Sequence, residues 1–182
     1  MRKISTLYLR VFHLVPLGWF FFSLTLSLTG CSSLSNSIQS EESPLSYTSR
    51  SPKELAKRFL SALEKKDEGA LWGLRVTESE YKDIIWPPYE KKGYGTSDLS
   101  WFINYKDAEK TIGRALNDFG GKKLKLIRVY FGKGKDREVG PFKIWRDFRI
   151  VVKDEKGEEF ELDHINTVVE MDGRYKAVAY HS

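Results

Sequence analysis

The sequence predicts an α+β domain in which N-terminal helices pack on a curved antiparallel sheet. Three observations predict it. Apolar residues recur at helical spacing between Pro52 and Phe119. After Gly120-Gly121 the apolar period drops from helical to alternating. The alternating part is punctuated by two short hairpin signals, Glu155-Lys156-Gly157 and Asp172-Gly173. Helices first and a strand meander second is the order of an α+β fold.

Each element has a local reason. In Ser51-Pro52-Lys53-Glu54, Ser51 caps a helix, Pro52 suits its first position and Glu54 completes a capping box. Leu55, Phe59, Ala62 and Leu63 then share one face. A second, short helix holds Leu71, Trp72 and Leu74. Thr77-Glu78-Ser79-Glu80 is another capping box, leading into Tyr81, Ile84 and Ile85. Trp86-Pro87-Pro88-Tyr89 is expected to stop that helix, and residues 90–97 to form a Gly-containing loop. The longest helix is expected over 98–119, with Phe102, Tyr105, Ala108, Ile112, Ala115 or Leu116, and Phe119 as its apolar stripe. Strands follow at 124–131, 142–153, 160–171 and 174–181.

The N-terminus carries a different signal. Residues 1–10 are short and positive, and residues 11–28 are apolar, with Leu17, Trp19, Phe20, Phe21 and Phe22 at their centre. The run ends in Leu28-Thr29-Gly30-Cys31. A positive segment, an apolar segment and small residues at the end describe an export signal, to be set aside in fold reasoning. The last four residues resemble the lipobox of bacterial lipoproteins. That resemblance implies a diacylglyceryl group on the Cys31 thiol, cleavage before it and acylation of the new amino terminus. Several acyl chains, each worth about 0.8 kcal/mol per buried methylene, hold a domain durably on a bilayer. An uncleaved membrane helix is the competing reading, weakened by His13 and Pro16 within the apolar run. Ser32 follows the cysteine, and the absence of Asp there implies the outer membrane rather than the inner one in familiar diderm bacteria.

Residues 32–50 read as a flexible tether. Eight of these nineteen are Ser, with too few apolar groups to offset ordering, and a coil of that length reaches about 25 Å. The domain is expected over 51–182. Three of the thirty basic residues, Arg2, Lys3 and Arg10, fall in the first thirty positions, which hold no acid. Removing the leader leaves 27 basic against 25 acidic residues, so the net charge falls from +5 to +2. That balance does not suggest a nucleic-acid partner. The stretch Lys122, Lys123, Lys125, Lys133, Lys135 and Arg137 reads as solvated charge. Cys31 is the one cysteine, so no internal disulfide forms.

Residues 51–182 resemble the NTF2-like (SnoaL/ketosteroid-isomerase-like) superfamily in element order, in the long last hairpins and in the closing Met171-Asp172-Gly173-Arg174-Tyr175-Lys176 segment. A cystatin-like domain is the alternative fold. The hairpin loops set register: Val152 opposite Phe160, Ile150 opposite Leu162, Phe148 opposite His164, Arg146 opposite Asn166 and Ile144 opposite Val168. On the second hairpin, Val168 falls opposite Ala177, Asn166 opposite Ala179 and His164 opposite His181. One face is then apolar but interrupted by Arg146, His164, Asn166 and His181. The resemblance implies that this cluster looks into a conical pocket between helices and sheet. There it binds a polar or anionic group, with His164 as acid or base, or its members bond to each other and the backbone. Asp163 is expected to pair with Arg149 across the hairpin.

The other face, with Trp145, Ile165, Thr167, Val169, Val178 and Tyr180, is either a partner or homodimer surface or is covered by the chain's own loop. Trp86-Pro87-Pro88-Tyr89 and Trp101 either rim the pocket or plug the core. His164 and His181 lack a third metal ligand, and Gly132-Lys133-Gly134 lacks the spacing of a phosphate loop. No cofactor is expected. The isomerases of the family use a Tyr and two acids, and no positions here match those roles residue by residue. The expectation is therefore a lipid-anchored envelope lipoprotein that binds a small ligand or an envelope partner without catalysis. The alternatives are an isomerase or dehydratase using His164, and a structural or assembly lipoprotein. Cys31→Ser should abolish incorporation of labelled fatty acid and move the domain to the soluble fraction while its circular dichroism stays unchanged. Labelling that survives the substitution overturns the anchor.

Overall fold

The computed structural model describes residues 45–132 and 137–181. The leader, Cys31 and the tether up to residue 44 lie outside these residues, as do Lys133 to Asp136. The α+β class holds: helices come first, and two antiparallel sheets follow, not closed into a barrel. Helix α1 (Pro52–Lys65) starts as its sequence dictates, Ser51 Oγ accepting the Glu54 N–H at 3.1 Å. The Glu54 carboxylate reaches back one residue further than expected, to the Arg50 N–H at 2.8 Å. Helix α2 (Glu68–Gly73) is capped by Asp67, which accepts the Ala70 N–H. Leu55, Phe59 and Leu63 of α1 are fully buried, each worth about 1.5–3 kcal/mol.

Two helical expectations are revised. Trp86-Pro87-Pro88-Tyr89 does not stop the chain's coiling. Its prolines occupy the first positions of a one-turn helix, α3 (Pro87–Glu90), where a missing N–H does no harm. Helix α4 (Ser97–Phe119) buries Ala108, Thr111, Ile112 and Ala115, but Phe102 is 58% exposed. The inward face of its first half belongs to Trp101 and Asn104, one position away from the expected stripe.

The strands are β1 (Lys125–Phe131), β2 (Arg137–Val139), β3 (Phe142–Arg146), β4 (Phe148–Lys153), β5 (Glu159–Leu162), β6 (Ile165–Met171) and β7 (Arg174–Tyr180). One sheet runs β1-β4-β5 and the other β2-β3-β6-β7. The two long strands expected from the sequence are therefore each broken, at Asp147 and at Asp163-His164, and their halves pair in different sheets. Asp147 turns the first corner with φ +57°, a left-handed conformation uncommon outside glycine but tolerated by Asp. Gly132 packs against this corner, its N–H donating to the Asp147 carbonyl at 2.9 Å. A Cβ on Gly132 would collide with the Asp147 carboxylate. Arg149 ties the corners together, bonding Asp147 through Nε and Asp163 through a terminal nitrogen at 3.0 Å.

Register holds up to the corner and slips beyond it. Ile150↔Leu162 and Val152↔Phe160 pair as expected. Arg146 pairs with Thr167 and Ile144 with Val169, one residue off, because the corner adds a residue to one side. On the last hairpin, Asp172 and Gly173 both have positive φ, as a type I′ turn requires. Val168↔Ala177 and Ile165↔Tyr180 keep the expected register. Between them Asn166 on β6 and Val178 on β7 are each left out of the pairing. These two bulges cancel in register but reverse which face successive side chains meet.

The sheet is consequently buried on two faces. Phe148, Ile150, Leu162, Val168, Ala177 and Tyr180 form the main core with α1, α2 and α4. Ile144, Val169, Met171 and Val178 form a second core with Leu45, Val76, Tyr81, Ile85 and Trp86. Val169, Val178, Ile165 and Tyr180, read from the sequence as an outer face, are thus covered by the chain itself. The packed chain also begins before Ser51: Leu45 is buried, and Ser49 bridges Tyr175 through N–H···O bonds of 2.9 and 2.8 Å. That part of the expected tether belongs to the domain.

These contacts seal the outer edge of β7, which otherwise would expose unpaired peptide groups. Ser49 covers its first half, and the chain from Leu74 to Val76 bonds both peptide groups of Ala177. Between them lies a buried ion pair. Lys176 Nζ meets both carboxylate oxygens of Glu80, at 2.9 and 2.7 Å, and both side chains are below a tenth exposed. Glu80 also accepts the Ser46 N–H at 2.7 Å and the Thr77 N–H at 2.6 Å. Burial pushes its pKa up, but Lys176 and the backbone donors outweigh burial and hold it below the ordinary 4.5. Lys176→Met should cost about 3–5 kcal/mol in urea unfolding, because Glu80 is left charged and unpaired. Glu80→Gln/Lys176→Met should recover most of that loss. The carboxylate's contribution is complete above pH 4.5 and is lost as pH falls through the lowered folded value, so Glu80→Gln should flatten that acid limb.

Candidate functional site

The segment Glu80–Ile85 forms a π-helical turn. The capping box expected at its start is present: Glu80 N–H donates to Thr77 Oγ1 at 3.2 Å while the Glu80 carboxylate takes the Thr77 N–H. Its far end widens, the Trp86 N–H reaching the Tyr81 carbonyl at 2.8 Å. The widened turn brings Tyr81, Ile85 and Trp86 to one side. Trp86 stacks between Tyr81 and Tyr89, with ring centroids 5.9 Å apart in both cases.

Opposite this aromatic ladder lies the bulged part of the sheet, and a cavity of about 260 Å³ separates the two. Tyr81, Ile85, Trp86 and Tyr89 form one wall, and Ile144, Val178 and Ala179 the apolar part of the other. Arg146, Asn166, Thr167 and Asn104 supply the polar lining. The bulges aim Asn166, Val178 and their neighbours into this space. A regular ladder would turn alternate residues away.

Several polar groups of the wall have defined states. Tyr81 Oη and Ser100 Oγ lie 2.6 Å apart, and Asn104 Nδ2 reaches the same phenol at 3.5 Å. Thr167 Oγ1 donates to Asn166 Oδ1, leaving the Asn166 amide hydrogens for another acceptor. Burial raises the Tyr89 phenol above its usual value, with Arg146 and Arg137 pulling it partly back, so it stays protonated at neutral pH. The indole N–H of Trp86 is buried without an acceptor. Such an orphan donor costs about 1–3 kcal/mol where nothing satisfies it.

The four residues grouped by the sequence separate into two places. Arg146 and Asn166 line the cavity. His164 lies at the corner before β6, half-buried against the main core. Its ring meets Phe119 edge-on at 5.6 Å and Phe59 at 6.3 Å, and its Nδ1 is buried without a partner. His181 is exposed, and its N–H donates to the His164 carbonyl at 3.1 Å. The Asp163–Arg149 pair expected across the hairpin is present. Of the residues that either rim the pocket or plug the core, Trp86 and Tyr89 do line it, while Trp101 sits beyond Tyr81 at 5.5 Å between centroids.

Sequence reasoning missed Asn104, Val178 and Ala179. Asn104 had a readable signal: it stands three residues after Trp101 and four before Ala108, a polar residue within an apolar stripe. Val178 and Ala179 had none, because nothing local announces a bulge there. Among the described residues no three His, Cys, Asp or Glu side chains gather as a metal site, and no helix is long and apolar enough to cross a membrane. Neither family models, nor curated proteins, nor solved structures give a match to this chain.

Burial lowers the His164 pKa below 6.5, and Asp163 and Asp118 offset this only in part. The unfolded chain therefore takes up this proton first as pH falls. The resulting stability is complete above pH 6.5 and is lost between there and the folded value. His164→Phe should flatten the pH dependence of unfolding free energy in that window and keep the fold. A His164 imidazole titrating at or above 6.5 by NMR would contradict the assignment.

Proposed function

We propose that this chain is a lipid-anchored protein of the bacterial envelope whose domain binds a small ligand in the cavity between the π-helical turn and the bulged sheet. The observation that carries the reading is the division of that cavity. One wall is a stacked aromatic ladder, and the other side offers Arg146, Asn166 and Thr167. A mostly apolar space with a few convergent polar groups is the usual form of a ligand site. The ligand it suits has a flat or apolar body for Trp86 and Tyr89 and a polar or anionic end for Arg146. Among the described residues the lining polar groups are Arg146, Asn166, Thr167, Asn104 and the two phenols, groups suited to hydrogen-bonding a ligand. His164, the residue an isomerase reading needs, packs among phenylalanines instead.

The anchor rests on Leu28-Thr29-Gly30-Cys31 at the end of an apolar run, with the outer membrane as the proposed destination because Ser32 follows. An NTF2-like cone is the finer fold proposed. Its support is the order of helices before strands, the corners that break both arms of the first long hairpin, and a pocket beside the sheet. The ligand, not a second protein, is the proposed partner.

The test is native mass spectrometry of the chain expressed in bacteria and extracted in mild detergent. A bound small molecule should accompany the wild type. Ala179→Trp, which fills the cavity, should lose it while the thermal midpoint is kept, and Arg146→Ala should weaken it about tenfold or more, as removal of a charged hydrogen bond does. A ligand-free wild type, or a ligand retained by the filled cavity, sinks the reading.

A further inference from the structure

A second cavity, of about 260 Å³, is lined by Trp72, Arg75, Glu78, Trp101, Tyr105 and Lys176. Arg75 is 3% exposed. Its guanidinium carbon lies 5.4 Å from the Trp72 ring centre and 4.9 Å from that of Trp101, so indole rings hold it by cation–π contact. One terminal nitrogen reaches the Asn104 carbonyl at 3.4 Å, and Nε has no acceptor. Among the described residues no carboxylate pairs with it. The nearby acids are engaged: Glu80 by Lys176, and Glu78 by Lys82 at 2.6 Å. Of the two cations lining the cavity, Arg75 and Lys176, Arg75 has no carboxylate bonded to it; Glu78 lines the same cavity and shares Lys82 with Asp98.

Buried arginines are normally paired. Burial lowers this one to about 10, with the phenols Tyr180, Tyr105 and Tyr81 opposing the shift only weakly. It is still a cation at neutral pH. Further acceptors bond its N–H groups, which lie in the guanidinium plane. A carboxylate does this with two parallel bonds. Trp72 stacks on Tyr105 at 5.0 Å, so the wall above the guanidinium is aromatic as well. A dianion would leave a charge unmatched, since Lys176 is already neutralised.

We propose that this cavity is a second binding site, taking a small monocarboxylate with a flat apolar body, its carboxylate on Arg75 and its body against Trp72, Trp101 and Tyr105. It is a different cavity from the one that carries the proposed function, and either can fail alone.

Sodium benzoate is the probe, titrated into the full chain with the Arg75 Nε–H resonance followed by NMR. The expected result is a saturable shift of that resonance, with the Arg146 Nε–H unmoved. Benzamide, flat but neutral, should bind at least tenfold more weakly, about 1.4 kcal/mol. Arg75→Gln should lose the accompanying quenching of tryptophan fluorescence. Should that variant fail to fold, Trp101→Ala removes one wall and should weaken benzoate by at least tenfold. An Arg75 resonance that benzoate leaves in place, or that benzamide moves equally well, overturns the site.

Discussion

The contact between Lys176 and Glu80 is the buried ion pair that fixes the π-helical turn against the edge strand β7. Glu80 belongs to the π-helical turn, Lys176 to the edge strand β7, and the same carboxylate holds Ser46 and Thr77. Desolvating two charges is expensive, and such a pair survives only where remaining acceptors are also satisfied. Here Glu80 accepts from Lys176, from the Ser46 N–H and hydroxyl and from the Thr77 N–H, so the requirement is met. The arrangement is specific because any slip of β7 by one residue would leave Lys176 on the wrong face. With the pair formed, Ser49 and the Leu74–Val76 segment close the edge of β7, and the aromatic ladder of the turn is brought over the sheet. The first cavity is the space this leaves.

The sheet contributes its side of the cavity by departing from regularity. Asp147 and Asp163-His164 break two long hairpin strands at the same level, and Arg149 links the corners by bonding both aspartates. Paired bulges at Asn166 and Val178 then reverse the alternation of β6 and β7 without changing the register set by the Asp172-Gly173 turn. A regular ladder sends Val168 and Val169 to opposite cores, but it cannot also place the successive residues Asn166 and Thr167 at one opening. Bulges achieve this with local disruption only.

Asn104 connects the two cavities. Its carbonyl accepts from Arg75, its amide reaches the Tyr81 phenol, and its side chain lines the first cavity. The two sites divide the cations of this region. Arg146 is exposed at one opening, where solvent screens it, and Arg75 is buried between indoles, where its charge acts at short range in a poorer dielectric.

Much of this molecule could be read locally. The α+β order, the caps at Ser51 and Thr77, the Gly120-Gly121 stop, the Asp172-Gly173 turn and the pairs Ile150↔Leu162 and Val168↔Ala177 follow from spacing and turn chemistry within a few residues, and so does the Asp163–Arg149 pair. Arg146 and Asn166 were legible as polar interruptions of the apolar face that carries Ile150, Leu162 and Val168, but the cavity they line lies beside the second core with Ile144 and Val178. The breaks at Asp147 and His164 were not legible. Each half-strand is equally good alone or continuous, and the choice depends on what packs above it. The separation of His164 from Arg146 follows from that choice. Lys176 and Arg75 were least legible, since a charged residue on a strand or loop ordinarily faces water. Their burial arises only when chain segments distant in sequence supply a carboxylate for one and two indole rings for the other. Local chemistry determined the elements and their turns; the pairing of distant charges and the breaking of strands, which depend on long-range contacts, were decided by the tertiary structure.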